Sequence, residues 1–238
     1  MRVACWVAIL FCVCFAEEFQ QFTIWADENG ITLHDIEVRE SSHVLETERG
    51  VFASADIQKG DVILEIPIEA MMNEATMKNS DCYDLLPEGE YLTATNQMAL
   101  HLLYEKQNKN SKWREYIDIL PKQLQTTLFY SEHELKMLQS STLVQNTQMR
   151  KENAKFYFNI IAGWISSDRE RNGVWGDEPF TEEDWFWALS ILWSRAFSVK
   201  VDDQPMGSLV PMADMFNAYD PQKDRLQVKA AIEDSQLK

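Results

Sequence analysis

Short apolar runs broken by turn residues open the chain, helical spacing fills its middle, and irregular segments close it. Over residues 18–28, Phe19, Phe22, Ile24 and Trp25 fall on one helical face, and Asn29-Gly30 stops the pattern. Between residues 31 and 71, β-type runs at 36–38, 43–45, 51–53 and 62–66 alternate with turn residues. Gln58-Lys59-Gly60-Asp61 predicts a tight turn joining two antiparallel strands. Across residues 91–104, Leu92, Ala99, Leu102 and Leu103 keep helical register. Ser131-Glu132-His133-Glu134 has the Ser-x-x-Glu form in which each side chain satisfies the other's backbone N–H. Leu135, Leu138 and Leu143 follow, and residues 148–165 continue the pattern with Phe156, Ile160 and Trp164. Thr181-Glu182-Glu183-Asp184 predicts a second capped start, leading through Trp185, Leu189 and Leu192 to Trp193. Beyond Asp202 the pattern is irregular, Pro205-Met206-Gly207 included, before a last strand at 226–232. No tandem repeat, Pro-rich linker or low-complexity tract interrupts this order.

Composition narrows the class. The chain has 238 residues, 45% hydrophobic and 25% charged, enough to bury a core and ordinary for a globular protein. With 38 acidic against 22 basic residues the net charge is −16, the wrong sign for a free-standing nucleic-acid binder. No nucleic-acid partner is expected; charged partners would be basic. Met1-Arg2, the charge-free run from Val3 to Ala16 and the small residues Cys14 and Ala16 follow the secretory signal pattern, so residues 1–16 are read as a signal peptide. As a helix that run rises only about 21 Å, short of a bilayer core, and no membrane span is expected after its removal. A buried amino-terminal helix and a misassigned start are the alternatives. The leader sends the chain into the secretory pathway and leaves the final compartment open.

Most general catalytic signatures are absent. The chain has no Walker loop, G-x-G-x-x-G, H-E-x-x-H or G-x-S-x-G. Three of the four cysteines (Cys5, Cys12 and Cys14) lie in the leader, so Cys82 is left without an internal disulfide partner, and no CxxC pair exists to hold a metal. His34, His43, His101 and His133 are dispersed; His101 sits on an apolar helical face as a packed residue, and His133 falls in a solvated first turn. Trp164, Trp185 and Trp193 occupy helical core positions.

Three ordered segments carry more. The first is Glu48-Arg49-Gly50-Val51-Phe52-Ala53, where a glycine beside a strand permits a positive φ or the close approach of a ligand. The second runs Trp113-Arg114-Glu115-Tyr116-Ile117-Asp118-Ile119-Leu120-Pro121, then Leu128-Phe129-Tyr130-Ser131. The third is Ser194-Arg195-Ala196-Phe197-Ser198, then Leu209-Val210-Pro211-Met212-Ala213-Asp214-Met215-Phe216-Asn217. Read by residue alone, Arg195 could satisfy free helix carbonyls, Asp214 could cap a turn and Phe197 could be core.

Together, from about Ile31 to the end, these segments resemble the SET-domain protein methyltransferases, in the branch of the rubisco large-subunit methyltransferases. The resemblance implies an α+β chain, a knotted β fold interrupted by a helical insert. Residues 17–90 would form its amino-terminal portion, 91–180 the insert and 181–238 an incomplete carboxy-terminal portion. It implies S-adenosyl-L-methionine as cofactor, a protein substrate presenting a lysine, and methyl transfer governed by in-line orientation. It places the backbone around Glu48, Arg49 and Gly50 along the cofactor. Ser194 and Arg195 join that site, with Arg195 paired to the cofactor carboxylate. Asn217 holds its amino-acid portion, the Ala218 backbone contributes to the cofactor pocket, Asp214 positions their loop, and Phe197 lines the lysine channel in the manner of lysine-modifying rather than histidine-modifying members. The segments around residues 50, 195 and 217 are then expected to converge.

The sequence departs from that pattern at three places. Glu48 stands where the family has glycine, with Thr47 before it in place of glutamate. Ala218 stands where it has histidine. The chain ends at Lys238 before the segment whose tyrosine orients the reacting amine, so no catalytic tyrosine is assigned. The expectation is a truncated gene model of a protein-lysine N-methyltransferase, with a non-catalytic SET-like protein-binding module as the alternative.

Overall fold

The computed structural model of the protein describes residues 18–40, 49–88, 92–139, 141–201, 204–216, 232–233 and 236–237. In chain order its elements are helix α1 (18–28), strands β1 (Thr32–Leu33), β2 (Ile36–Glu40), β3 (Arg49–Ala53), β4 (Leu64–Pro67) and β5 (Met72–Asn73), and helices α2 (Glu74–Lys78), α3 (Ala94–Gln107) and α4 (Arg114–Asp118). Helices α5 (Glu132–Met137), α6 (Thr142–Arg171) and α7 (Glu182–Arg195) follow, then strands β6 (Phe197–Val201), β7 (Gln204–Leu209), β8 (Ile232–Glu233) and β9 (Gln236–Leu237). These residues fall into two compact units. One gathers the chain up to Met71 with Glu115–Ile119 and the part from Phe197 on; the other gathers Met72–Arg114 and Leu120–Ala196.

The first unit is strand-rich. Helix α1 buries Phe22, Trp25 and Ala26, while Ile24, expected on that face, is 46% exposed. One residue is about 100° of helical turn, so the side chain beside Trp25 points away from the core. Asn29 Nδ2 donates to the Trp25 carbonyl at 2.8 Å and Gly30 takes φ +75°, ending the helix where the sequence expects it. Strands run β1-β4-β9-β8 in one antiparallel sheet, with Thr32 opposite Glu65 and Ile66 opposite Leu237. β2 and β3 form a separate ladder from Ile36–Ala53 to Glu40–Arg49, and β6 and β7 form a hairpin.

Two local expectations change. The turn at 58–61 forms, with Asp61 N–H donating to the Gln58 carbonyl at 3.1 Å and Gly60 at φ +104°, but it does not join paired strands. All five residues of β3 are matched to β2, and β4 is matched to β1, so the turn carries the chain from one ladder to another. Pro205-Met206-Gly207, expected irregular, lies within β7, where Met206 faces Val199; cross-strand pairing outweighs the local turn preference. The runs at 43–45 and 226–231 lie outside the described residues.

The second unit is helical and centred on α3 packed against α7, with α6 against α7. Met98, Ala99, Leu100, His101, Leu102 and Leu103 are buried in succession, so α3 is enclosed on every side, beyond what a single amphipathic stripe predicts. α7 buries Trp185, Ala188, Leu189, Ile191 and Leu192. The indole N–H of Trp185 donates to the Ala154 carbonyl at 2.9 Å, and that of Trp187 to the Pro121 carbonyl at 2.7 Å. The 30 residues of α6 bury only a stripe through Thr147, Ala154, Ile161, Ile165 and Asp168. Leu143 and Phe156, read as part of the apolar face, are 46% and 59% exposed, and Trp193 is 44% exposed rather than core. Phe156 sits two residues, about 200°, round from Ala154, and Trp193 one residue round from Leu192. The Ser131–Glu134 capping box forms as expected, and Thr181 caps α7 through the Asp184 N–H at 3.1 Å.

Candidate functional site

In the strand-rich unit, parts of all three diagnostic segments meet. Gly50 is buried in β3 opposite Arg39, in regular antiparallel register. Of the two uses of a glycine there, a left-handed turn or a close approach, that register favours the second. β3 packs alongside the turn Ala213–Met215, a single 3-10 turn entered through Met212 at φ +72°. Asp214 N–H donates to the Val210 carbonyl and Met215 N–H to the Met212 carbonyl, both at 3.2 Å. Asp214 itself is buried, and its Oδ2 accepts a hydrogen bond from the Tyr116 hydroxyl at 3.0 Å. Tyr116 comes from the second diagnostic segment, so a residue given no role by the sequence holds the carboxylate of the third. No local signal in the short, mostly charged helix Arg114–Asp118 marks it; only its burial against Phe22 and Asp214 does. Phe197 opens β6 opposite Ser208 and is 39% exposed. Glu48, Asn217 and Ala218 lie outside the described residues, and of Arg49 the structure describes only the backbone, in β3.

In the helical unit, Ser194 and Arg195 form the last turn of α7. That helix carries Glu182, Glu183 and Asp184 in its first turn and Arg195 in its last, each sign at the end of the helix dipole that favours it. Burial acts to raise the Asp184 carboxyl, but hydrogen bonds from Lys106 and Thr181 outweigh it and hold the group below its ordinary range. Arg195 is half-buried. The Ser194 hydroxyl is spent on the Ser190 carbonyl at 2.8 Å and lines an open recess of about 210 Å³. Thr126, Thr127, Leu128, Arg150, Ser190 and Trp193 complete its walls, with the Arg150 guanidinium 5.2 Å from the Trp193 ring.

The predicted histidines behave as side chains of the fold. His101 is fully buried, edge-on to Trp113 at 5.4 Å, and His133 is exposed in the first turn of α5. Among the described residues no group of three or more His, Cys, Asp or Glu could hold a metal ion, and no helix is long and apolar enough to cross a membrane.

Comparison with known proteins gives this geometry a context. The family model described as "SET domain" matches residues 48–222, which run from the head of β3 through the Asp214 turn. The chain is 32% identical over 202 residues to the ribulose-1,5 bisphosphate carboxylase/oxygenase large subunit N-methyltransferase, chloroplastic, of Nicotiana tabacum, covering 83% of this chain and 38% of that protein. It is 29% identical over 203 residues to the actin-histidine N-methyltransferase of Papio anubis, covering 84% and 34%. A solved structure of the SET domain of LSMT bound to methyl-lysine and S-adenosylhomocysteine superposes with a TM-score of 0.72 at 30% identity, over 83% of this chain and 44% of that one. The chain thus spans less than half the length of these relatives.

Proposed function

The chain belongs to the SET domain family, and on that premise we propose that it binds S-adenosylmethionine and serves methyl transfer from that cofactor to the side-chain amine of a lysine in a protein substrate. The observation that carries this reading is the packing of the Gly50 strand against the Asp214 turn within one unit, two matched segments that lie far apart in sequence. A buried strand position without a side chain suits close approach by a flat nucleotide, and the internally hydrogen-bonded turn packed beside it holds that edge in place. The backbone at 48–50 would lie along the cofactor, with Asn217 on its amino-acid portion, Ala218 contributing backbone to the pocket and Asp214 fixing their turn. Arg195, with Ser194 beside it, would offer a planar two-pronged donor to its carboxylate, and Phe197 would border the acceptor channel. When bound, the cofactor supplies a sulfonium-activated methyl. The chain's own residues orient it and exclude water.

Lysine is the acceptor we favour, supported by Phe197 and by the rubisco-type relative. Histidine is the second reading, supported by the actin-histidine relative at nearly equal identity. The charge-free run of Val3–Ala16 supports delivery into a membrane-bounded compartment. Calorimetric titration of the purified full chain with S-adenosylhomocysteine is expected to show saturable binding; none at millimolar ligand overturns the proposal. Incubation with methyl-labelled cofactor and lysine- or histidine-bearing protein substrates, read by mass spectrometry, then separates the two acceptors. Binding with no methyl transferred to either would instead favour the protein-binding module.

A further inference from the structure

Tyr116 and Asp214 stand 98 residues apart in sequence and meet in one buried contact. The tyrosine is fully buried, its hydroxyl 3.0 Å from Oδ2 of an aspartate only 8% exposed. The ring is fixed from the other side by Phe22, centroids 6.1 Å apart, which stacks on Trp25 at 5.7 Å. Asp214 has no comparable freedom, because it lies in a one-turn element entered through Met212 in the left-handed region. A non-glycine residue held there is strained, so the turn persists only while its surroundings determine it. A hydrogen bond to a buried carboxylate is strong enough to do so.

We propose that Tyr116 is a positioning residue for cofactor binding: through Asp214 it locks the 213–215 turn that packs against the Gly50 strand. The role rests on the cofactor reading above. Tyr116 touches no reacting atom; its hydroxyl selects one placement of the Asp214 carboxylate, and the carboxylate sets the turn. Losing the hydroxyl removes one donor from a buried carboxylate, and the turn is then free to shift against the Gly50 strand.

The test is calorimetric titration of the full chain and its variants with S-adenosylhomocysteine, with urea unfolding followed in parallel. Tyr116→Phe is expected to weaken binding on the order of tenfold. Asp214→Ala should lose as much and Asp214→Asn less than about threefold, since the amide oxygen still accepts from the tyrosine. Combining Tyr116→Phe with Asp214→Ala should add nothing further. Thr147→Val, which removes a buried hydroxyl bond to Thr127 at 2.8 Å in the helical unit, serves as control and should lower the urea midpoint without moving affinity. If the unaltered chain fails to bind, the cofactor reading falls and takes this role with it. If the unaltered chain binds and Tyr116→Phe binds equally well at a lower urea midpoint, the cofactor reading stands and the positioning role is overturned. Should Tyr116→Phe not fold, the aspartate pair decides: Asn losing as much as Ala overturns the proposal.

Discussion

His101 and Glu105 face each other one turn apart on α3, Nε2 to Oε1 at 3.5 Å, with neither side chain more than 7% exposed. Burial acts to raise the glutamate carboxyl, but the His101 imidazole and the Ser111 and Ser80 hydroxyls facing it outweigh that penalty and hold it below its ordinary range. A carboxyl depressed in the folded state adds stability above its unfolded value, near 4.3, and loses it as pH falls through the lower folded value. The helical unit should therefore lose urea resistance on acidification below about pH 4, and Glu105→Gln should flatten that part of the profile. At pH 7 the same substitution should cost roughly 2–3 kcal/mol, read from urea midpoints.

Trp185 and Trp193 share a helix and a predicted core role but differ in exposure, 0% against 44%. Trp185→Ala should cost about 3–5 kcal/mol, for the cavity and the lost bond to the Ala154 carbonyl. Trp193→Ala should cost no more than about 1 kcal/mol, chiefly its contact with Arg150. Equal losses in thermal or urea unfolding would contradict the structure.

Gly30 combines φ +75° with a neighbour that a β-carbon would meet, the Pro67 Cγ at 3.3 Å. Gly60, at φ +104°, has nothing within 4 Å of that position. Gly30→Ala should lower stability by about 1–2 kcal/mol, through backbone strain and pressure on Pro67. Gly60→Ala is strained by its backbone alone, so relief of crowding by Pro67→Ala should recover part of the Gly30→Ala loss and leave the Gly60→Ala loss unchanged. Denaturation midpoints of each glycine variant, of Pro67→Ala and of the two combined variants test this.

Cys82 is buried, and loss of hydration, with the Glu105 charge nearby, pushes its thiol well above the ordinary value. The thiolate is the reactive form, so alkylation of Cys82 in the folded chain should be at least about a hundredfold slower than in urea. Peptide mapping after timed iodoacetamide treatment reads that residue apart from Cys5, Cys12 and Cys14.

Much of this fold was legible in local chemistry. The Ser131–Glu134 and Thr181–Asp184 starts formed where their spacing put them, and Asn29-Gly30 ended α1, because caps and stops are settled within four or five residues. Partnership was not legible. The strands flanking the 58–61 turn pair with others, since β-ladders are decided by neighbours distant in the chain. Helical spacing likewise could not tell Trp185 from Trp193, because burial depends on which stripe of a helix meets another.

By itself the amino-acid order determined the family-like segments, their sequence positions and the capped helix starts at Ser131 and Thr181, all of which rest on residue type and short spacing. Tertiary structure alone decided that Tyr116 would hold Asp214 and that β3 would lie beside the 213–215 turn. It also decided that α3 would bury a histidine and a glutamate together. Those outcomes arise from excluding water around polar groups, which packing by segments distant in the chain imposes. Only the packed fold can bring a hydroxyl and a carboxylate 98 residues away within hydrogen-bonding distance.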